Sequence, residues 1–138
     1  KEIRDFNYSL ESIMSCSLTN ARHKAYINQS CHCFYCSAPI WERNPVEFIA
    51  KFQISKSQAE LLRCTAEHLL PRSKGGLNTA SNIVAACRFC NQTRHKARSP
   101  LEPVAYRSKV RSRVLKGGWL PSGLSRRLMV SASNNIVN

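Results

Sequence analysis

Apolar residues in this chain come in short clusters, and their spacing changes along the sequence. Residues 1–30 are weakly patterned, and "SLESIMSCSLTNARHKAYI" carries enough apolar recurrence for one or two helical turns. "CHCFYCSAP" (31–39) is a tight, Cys-rich knuckle closed by Pro39. "VEFIAKF" (46–52) suits a short strand or a short helix. Ser57, followed three residues later by Glu60, has capping-box spacing and predicts a helix over "QAELL". "RCTAEHLL" alternates as a strand ending near Leu70. The Pro, Gly, Asn and Ser of "PRSKGGLNTASN" (71–82) predict a loop. "IVAAC" (83–87) then reads as a second short strand, and "NQTRHKA" begins a helix that Pro100 stops. From Val104 to Lys116, Tyr106, Val110 and Val114 recur four apart with cations between them. That pattern predicts a basic amphipathic helix closed by Gly117-Gly118. The tail "SGLSRRLMVSASNNIVN" is expected to be poorly ordered unless something holds it.

These elements divide the chain into an N-terminal extension (1–30), a core (31–100), a basic helix (101–118) and a flexible tail or partner-binding segment (119–138). A length of 138 residues suits one domain with loose ends. No apolar run approaches the roughly 18–20 residues that span a bilayer, so a membrane is not an expected partner. The start, "KEIRDFNYS", is charged and lacks the apolar core of a secretory signal. The expected location is cytoplasmic, in a bacterial or phage-type setting.

Charge sharpens the picture. Lys and Arg number 21 against 8 acids, a formal net charge of +13. Between Asn91 and Arg127 there are ten cations and one acid, Glu102, which supply +9 of that total. So large an excess points to a polyanion, nucleic acid first and an anionic membrane surface second.

Cysteine adds a metal. Cys33-x-x-Cys36 and Cys87-x-x-Cys90 are two knuckles with 50 residues between them. Two residues between thiolates grip one ion in a tight turn, and two such turns complete a tetrahedral site for structural Zn²⁺. A redox C-x-x-C would need a thioredoxin-like βαβ context, which is missing, and an odd total of 7 cysteines argues against a complete disulfide set. Closing a 50-residue loop costs about 3–4 kcal/mol. Structural zinc supplies on the order of 10 kcal/mol, enough to organise a small core. Cys64 fits a buried strand position, Cys16 and Cys31 have no clear role, and His32 reads as a bystander.

Read as one unit, "CTAEHLLPRSKGGLNTASNIVAACRFCNQTRHK" resembles the HNH endonuclease family, in its variant with a four-cysteine zinc site. The matching parts are an acid-His pair ending a strand, a "PRSKGG" loop, an Asn opening the next strand, and C-x-x-C followed at once by Asn. The resemblance implies an α+β fold: a small ββα-metal (His-Me finger) core with the zinc site, flanked by helical extensions. It places His68 as general base and Glu67 as an acidic ligand of a catalytic divalent ion. Asn82 becomes the loop organiser that helps orient the base, and Asn91 a second ligand. Cys33, Cys36, Cys87 and Cys90 take the structural zinc. Glu before the His, where Asp is commoner in the family, reaches one methylene further. His95, four residues after Asn91, is a candidate further ligand, with a phosphate contact or a solvated position as the alternatives.

The chemistry stands on its own terms too. Phosphodiester hydrolysis needs a deprotonated water and a cation near the leaving oxygen. Histidine suits the first task near neutral pH, and carboxylate and amide oxygens suit Mg²⁺ or Mn²⁺. Neighbouring strand residues face opposite ways, so Glu67 and His68 share a site only if the strand ends or twists there. Arg72, Lys74, Arg94, Lys96 and Arg98, with Arg107 and Arg111 on the basic helix, are expected to position phosphates rather than read bases. The expected partner is duplex DNA, with pairing of two chains to cut both strands an open arrangement. Two rivals stay open: a zinc-stabilised nucleic-acid-binding module without catalysis, and an RNA-directed or toxin-like nuclease.

Overall fold

A computed structural model describes residues 16–134 of the chain. The first fifteen residues, and with them the early part of the weak helical reading, lie outside the described residues, as do 135–138. Helix α1 (Leu18–Asn28) opens at Ser17, whose side chain accepts from Asn20 N. It buries Ala21 and Ala25 against the sheet. "VEFIAKF" resolves as a helix, α2 (Val46–Phe52). Helix α3 (Lys56–Leu61) is closed by a capping box of Ser55 and Gln58, two residues ahead of the expected Ser57/Glu60 pair. Glu60 has another job, with Oε1 paired to Arg63 and Arg88.

Strands β1 (Cys64–His68) and β2 (Ile83–Cys87) form one antiparallel pair, with Cys64 opposite Cys87 and His68 opposite Ile83. The loop between them carries one 3₁₀ turn, Arg72–Lys74. Gly76 lies against the Leu70 carbonyl so closely that a Cβ would overlap that oxygen. Helix α4 (Arg88–Lys96) follows β2 without a spacer, three residues before the predicted start. Cys87 is both the last residue of β2 and the N-cap of α4.

Helix α5 (Pro103–Leu115) buries Tyr106 and Val110, while Val114, the third residue of the expected stripe, stays exposed. Most of the segment expected to be poorly ordered unless held is a helix held by the core. Residues 122–134 form helix α6 (Ser122–Asn134), and Leu124 on it is fully buried. Leu124 and Leu128 are one helical turn apart and face the core, which is why the segment folds. The core itself is gathered around the knuckles, with Tyr35, Leu62, Val110, Leu124, Cys87 and Cys90 all sealed from solvent. The core is thus α+β, a ββα hairpin-and-helix unit with helices before and after it. Among the described residues no helix is long and apolar enough to cross a membrane.

Candidate functional site

The two knuckles meet. Cys33, Cys36, Cys87 and Cys90 are all buried, and their sulfurs lie within 4.8 Å of one another, positioned to bind a metal ion. The first knuckle is a tight turn, with Cys33 N donating to Ala38 O and Ser37 N to Cys33 O. The second sits on the first turn of α4. Backbone and ring donors face the sulfurs: Cys87 N to Cys33 Sγ at 3.2 Å, Cys90 N to Cys87 Sγ at 3.4 Å, and Trp119 Nε1 to Cys90 Sγ at 3.2 Å. Burial acts to raise the Cys33 thiol, but hydrogen bonds with Cys36, Cys87 and Cys90 hold it well below the usual value. Hydrogen bonds with Cys33 and Cys36 push Cys87 and Cys90 far up. A cation among the sulfurs would be needed to hold all four as thiolates this close together.

A second group gathers at the end of β1. Ala66, Glu67, His68, Pro71, Arg72, Asn91 and His95 line a pocket of about 230 Å³. The strand ends at His68, so adjacent Glu67 and His68 both border it. Glu67 is buried, and its two oxygens have different partners. Oε2 accepts from Tyr35 OH at 3.2 Å and lies 3.5 Å from Arg94 NH1, whereas Oε1 is 3.1 Å from His95 Nε2. Asn91 donates Nδ2 to Thr65 Oγ1 at 3.0 Å and to Ala66 O at 3.4 Å, which leaves Oδ1 as its acceptor. The donor set is one carboxylate oxygen, one amide oxygen and one imidazole nitrogen, which suits a hard divalent ion.

The loop is fastened by asparagines. Asn82 Oδ1 accepts from Leu70 N at 2.7 Å, and Nδ2 donates to Leu70 O at 3.1 Å and Leu77 O at 2.9 Å. All of these partners are backbone atoms across the loop. His68 Nε2 instead meets Asn78 Oδ1 at 2.9 Å.

The model of the HNH endonuclease family matches residues 54–102. That span contains Glu67, His68, Asn82, the second knuckle and Asn91. Over residues 54–102 the chain is thus similar to the HNH endonuclease family. The CRISPR-associated endonuclease Cas9 of Corynebacterium diphtheriae is 31% identical to it over 74 residues. The alignment takes in 53% of this chain but only 5% of that relative's length. No solved structure matches the chain.

Around the pocket, the cations expected to meet phosphate separate into two groups. Arg72 lines the pocket and is exposed, and Lys74, Lys96 and Arg98 are also exposed. Arg107 is exposed and stacks its guanidinium 4.4 Å from the Phe34 ring centre. Arg94 is a correction: it is buried, donates from Nε and NH2 to Leu101 O, and faces Glu67. Arg111 is half-buried and donates to Tyr35 O at 2.7 Å and Phe34 O at 3.2 Å. Arg94 thus braces the interior, while Arg111 ties α5 to the first knuckle.

Two contributors escape sequence reasoning. Tyr35 sits between the paired cysteines of the first knuckle, and its signal is only an aromatic inside C-x-x-C. Burial, then the Glu67 charge, pushes its phenol above the usual value, so it remains a donor. Asn78 is a loop asparagine like any other until its contact with His68 is seen. Cys64 is buried as expected, and burial pushes its thiol up to about 12.

Proposed function

We propose that this chain is a metal-dependent endonuclease that hydrolyses DNA phosphodiester bonds. The observation that carries the reading is the convergence of Glu67 and His68, from the end of β1, with Asn91 and His95, from α4, on one pocket. His68 takes a proton from water, whose oxygen attacks phosphorus. The new P–O bond forms as the bond to the 3′ oxygen breaks, so the products carry 5′-phosphate and 3′-hydroxyl ends. Mg²⁺ or Mn²⁺ held by Glu67 and Asn91, with His95 as a further ligand, would neutralise the charge that develops on the leaving oxygen. Asn82 keeps the loop closed beside the pocket. Arg72, Lys74, Lys96 and Arg98 hold the phosphate backbone, and Arg107 extends that surface along α5.

Zn²⁺ is the proposed ion of the cysteine cluster. A tetrahedron with Zn–S arms of about 2.3 Å has edges of about 3.8 Å. Cys36 and Cys87 sulfurs are 3.9 Å apart, which supports that assignment. Because Cys87 and Cys90 begin α4, the structural ion sets where Asn91 stands.

Purified protein with Mg²⁺ or Mn²⁺ is expected to nick supercoiled plasmid. His68→Ala is expected to lower the rate by about 10²- to 10⁴-fold, the usual loss for a general base. Equal rates in the two proteins would sink the reading, as would products with 3′-phosphate ends.

A further inference from the structure

The inference rests on the nuclease reading above and concerns the atom of His68 that does the work. We infer that Asn78 is the positioning residue that holds the His68 proton on Nε2 and so leaves Nδ1 to accept the proton of water. A neutral imidazole has one N–H donor and one bare acceptor, and its partner decides which nitrogen is which. Asn78 Oδ1 lies 2.9 Å from Nε2. A carboxamide oxygen can only accept, so the proton belongs on Nε2.

Asn78 is well held for such a role. Its carbonyl accepts from Cys16 N at 3.0 Å and from the Cys16 thiol at 3.4 Å, both from outside the hairpin. On one side, the Leu77 carbonyl is gripped by Asn82 Nδ2 at 2.9 Å. On the other, the Thr79 carbonyl accepts from Asn82 N and Ile83 N, each at 3.0 Å. Asn82 therefore fixes the backbone on either side of Asn78, and the Asn78 side chain fixes the imidazole. The two asparagines divide a role expected of Asn82 alone, whose own side chain holds the backbone of Leu70 and Leu77. During hydrolysis the water proton moves to Nδ1, and Nε2 keeps its own proton on the Asn78 oxygen.

The test compares the full chain with Asn78→Leu, which keeps the approximate shape but removes the acceptor, and with Asn78→Asp, which can only accept. Nitrogen-15 shifts of the His68 ring, read near pH 8 without added Mg²⁺, report which nitrogen carries the proton. The expected result is Nε2–H in the native protein and in Asn78→Asp, and a mixture in Asn78→Leu. Plasmid nicking supplies the second readout. Asn78→Leu is expected to lower kcat by about 10- to 100-fold, as for loss of an outer-shell partner of a working imidazole. KM for DNA should hold, and Asn78→Asp should keep most of the activity. An unchanged ring in Asn78→Leu, native kcat in that variant, or equal losses in both variants would overturn the assignment. A native protein that nicks nothing would refute the nuclease reading, while the ring shifts would still decide the hydrogen bond.

Discussion

Glu67 has two carboxylate oxygens, and they are not equivalent. Tyr35 and Arg94 hold Oε2 from the buried side, so Oε1, next to His95, is the oxygen that would face the proposed ion. Removing the phenol should loosen that rotamer without opening the core. Tyr35→Phe is expected to weaken Mn²⁺ binding by about tenfold in a titration, the scale of an outer-shell loss. Its zinc content should stay unchanged, which separates the two metals. Glu67, His68, Asn91 and the four cysteines were legible because their order and spacing are local and distinctive. Tyr35 and Asn78 were not, because their partners lie 32 and 10 residues away and neither residue type announces a role. Arg94 misled for a related reason. A cation on a helix is read as a solvated one, and only the fold shows that it turns inward to Leu101 O.

Both strands were legible, since a five-residue alternating or apolar run bounded by loop residues admits few other structures. Element starts were harder. Ser55 caps α3 because Gln58 reaches back to it, while Ser57, two residues on, lies inside the helix. Cys87 caps α4 with a sulfur, which no list of favoured caps includes. The tail's helix was not legible because its serines and asparagines outweighed the Leu124/Leu128 pair. That pair makes a firm prediction. Leu124→Ala should cost about 2–5 kcal/mol in urea unfolding, as for other buried Leu truncations. Val130→Ala, on the 57% exposed face of the same helix, should stay within about 0.5 kcal/mol of native. Equal effects would mean that α6 does not dock as described.

Taken whole, the molecule has a small sheet and a core centred on sulfur, so its stability hangs on the cysteine cluster. Cys36→Ser, or a strong chelator added to the native protein, should abolish the cooperative thermal transition seen by near-UV circular dichroism. His68→Ala, at a half-buried position outside the cluster, should keep that transition. The net charge of +13 pointed to the class of partner but not to the face, since Arg94 turned out to be an internal brace and Arg111 a tie between α5 and the first knuckle. The ties among the knuckles also govern timing. Cys36 meets Cys87 across 51 positions, and Tyr35 meets Glu67 across 32. During synthesis the acid-His pair therefore emerges well before the second knuckle that completes the cluster holding Tyr35. Helices can form as they are made, but the pocket is assembled only once Cys90 and Asn91 have left the ribosome, so a half-made chain carries Glu67 and His68 without the α4 residues that complete their pocket.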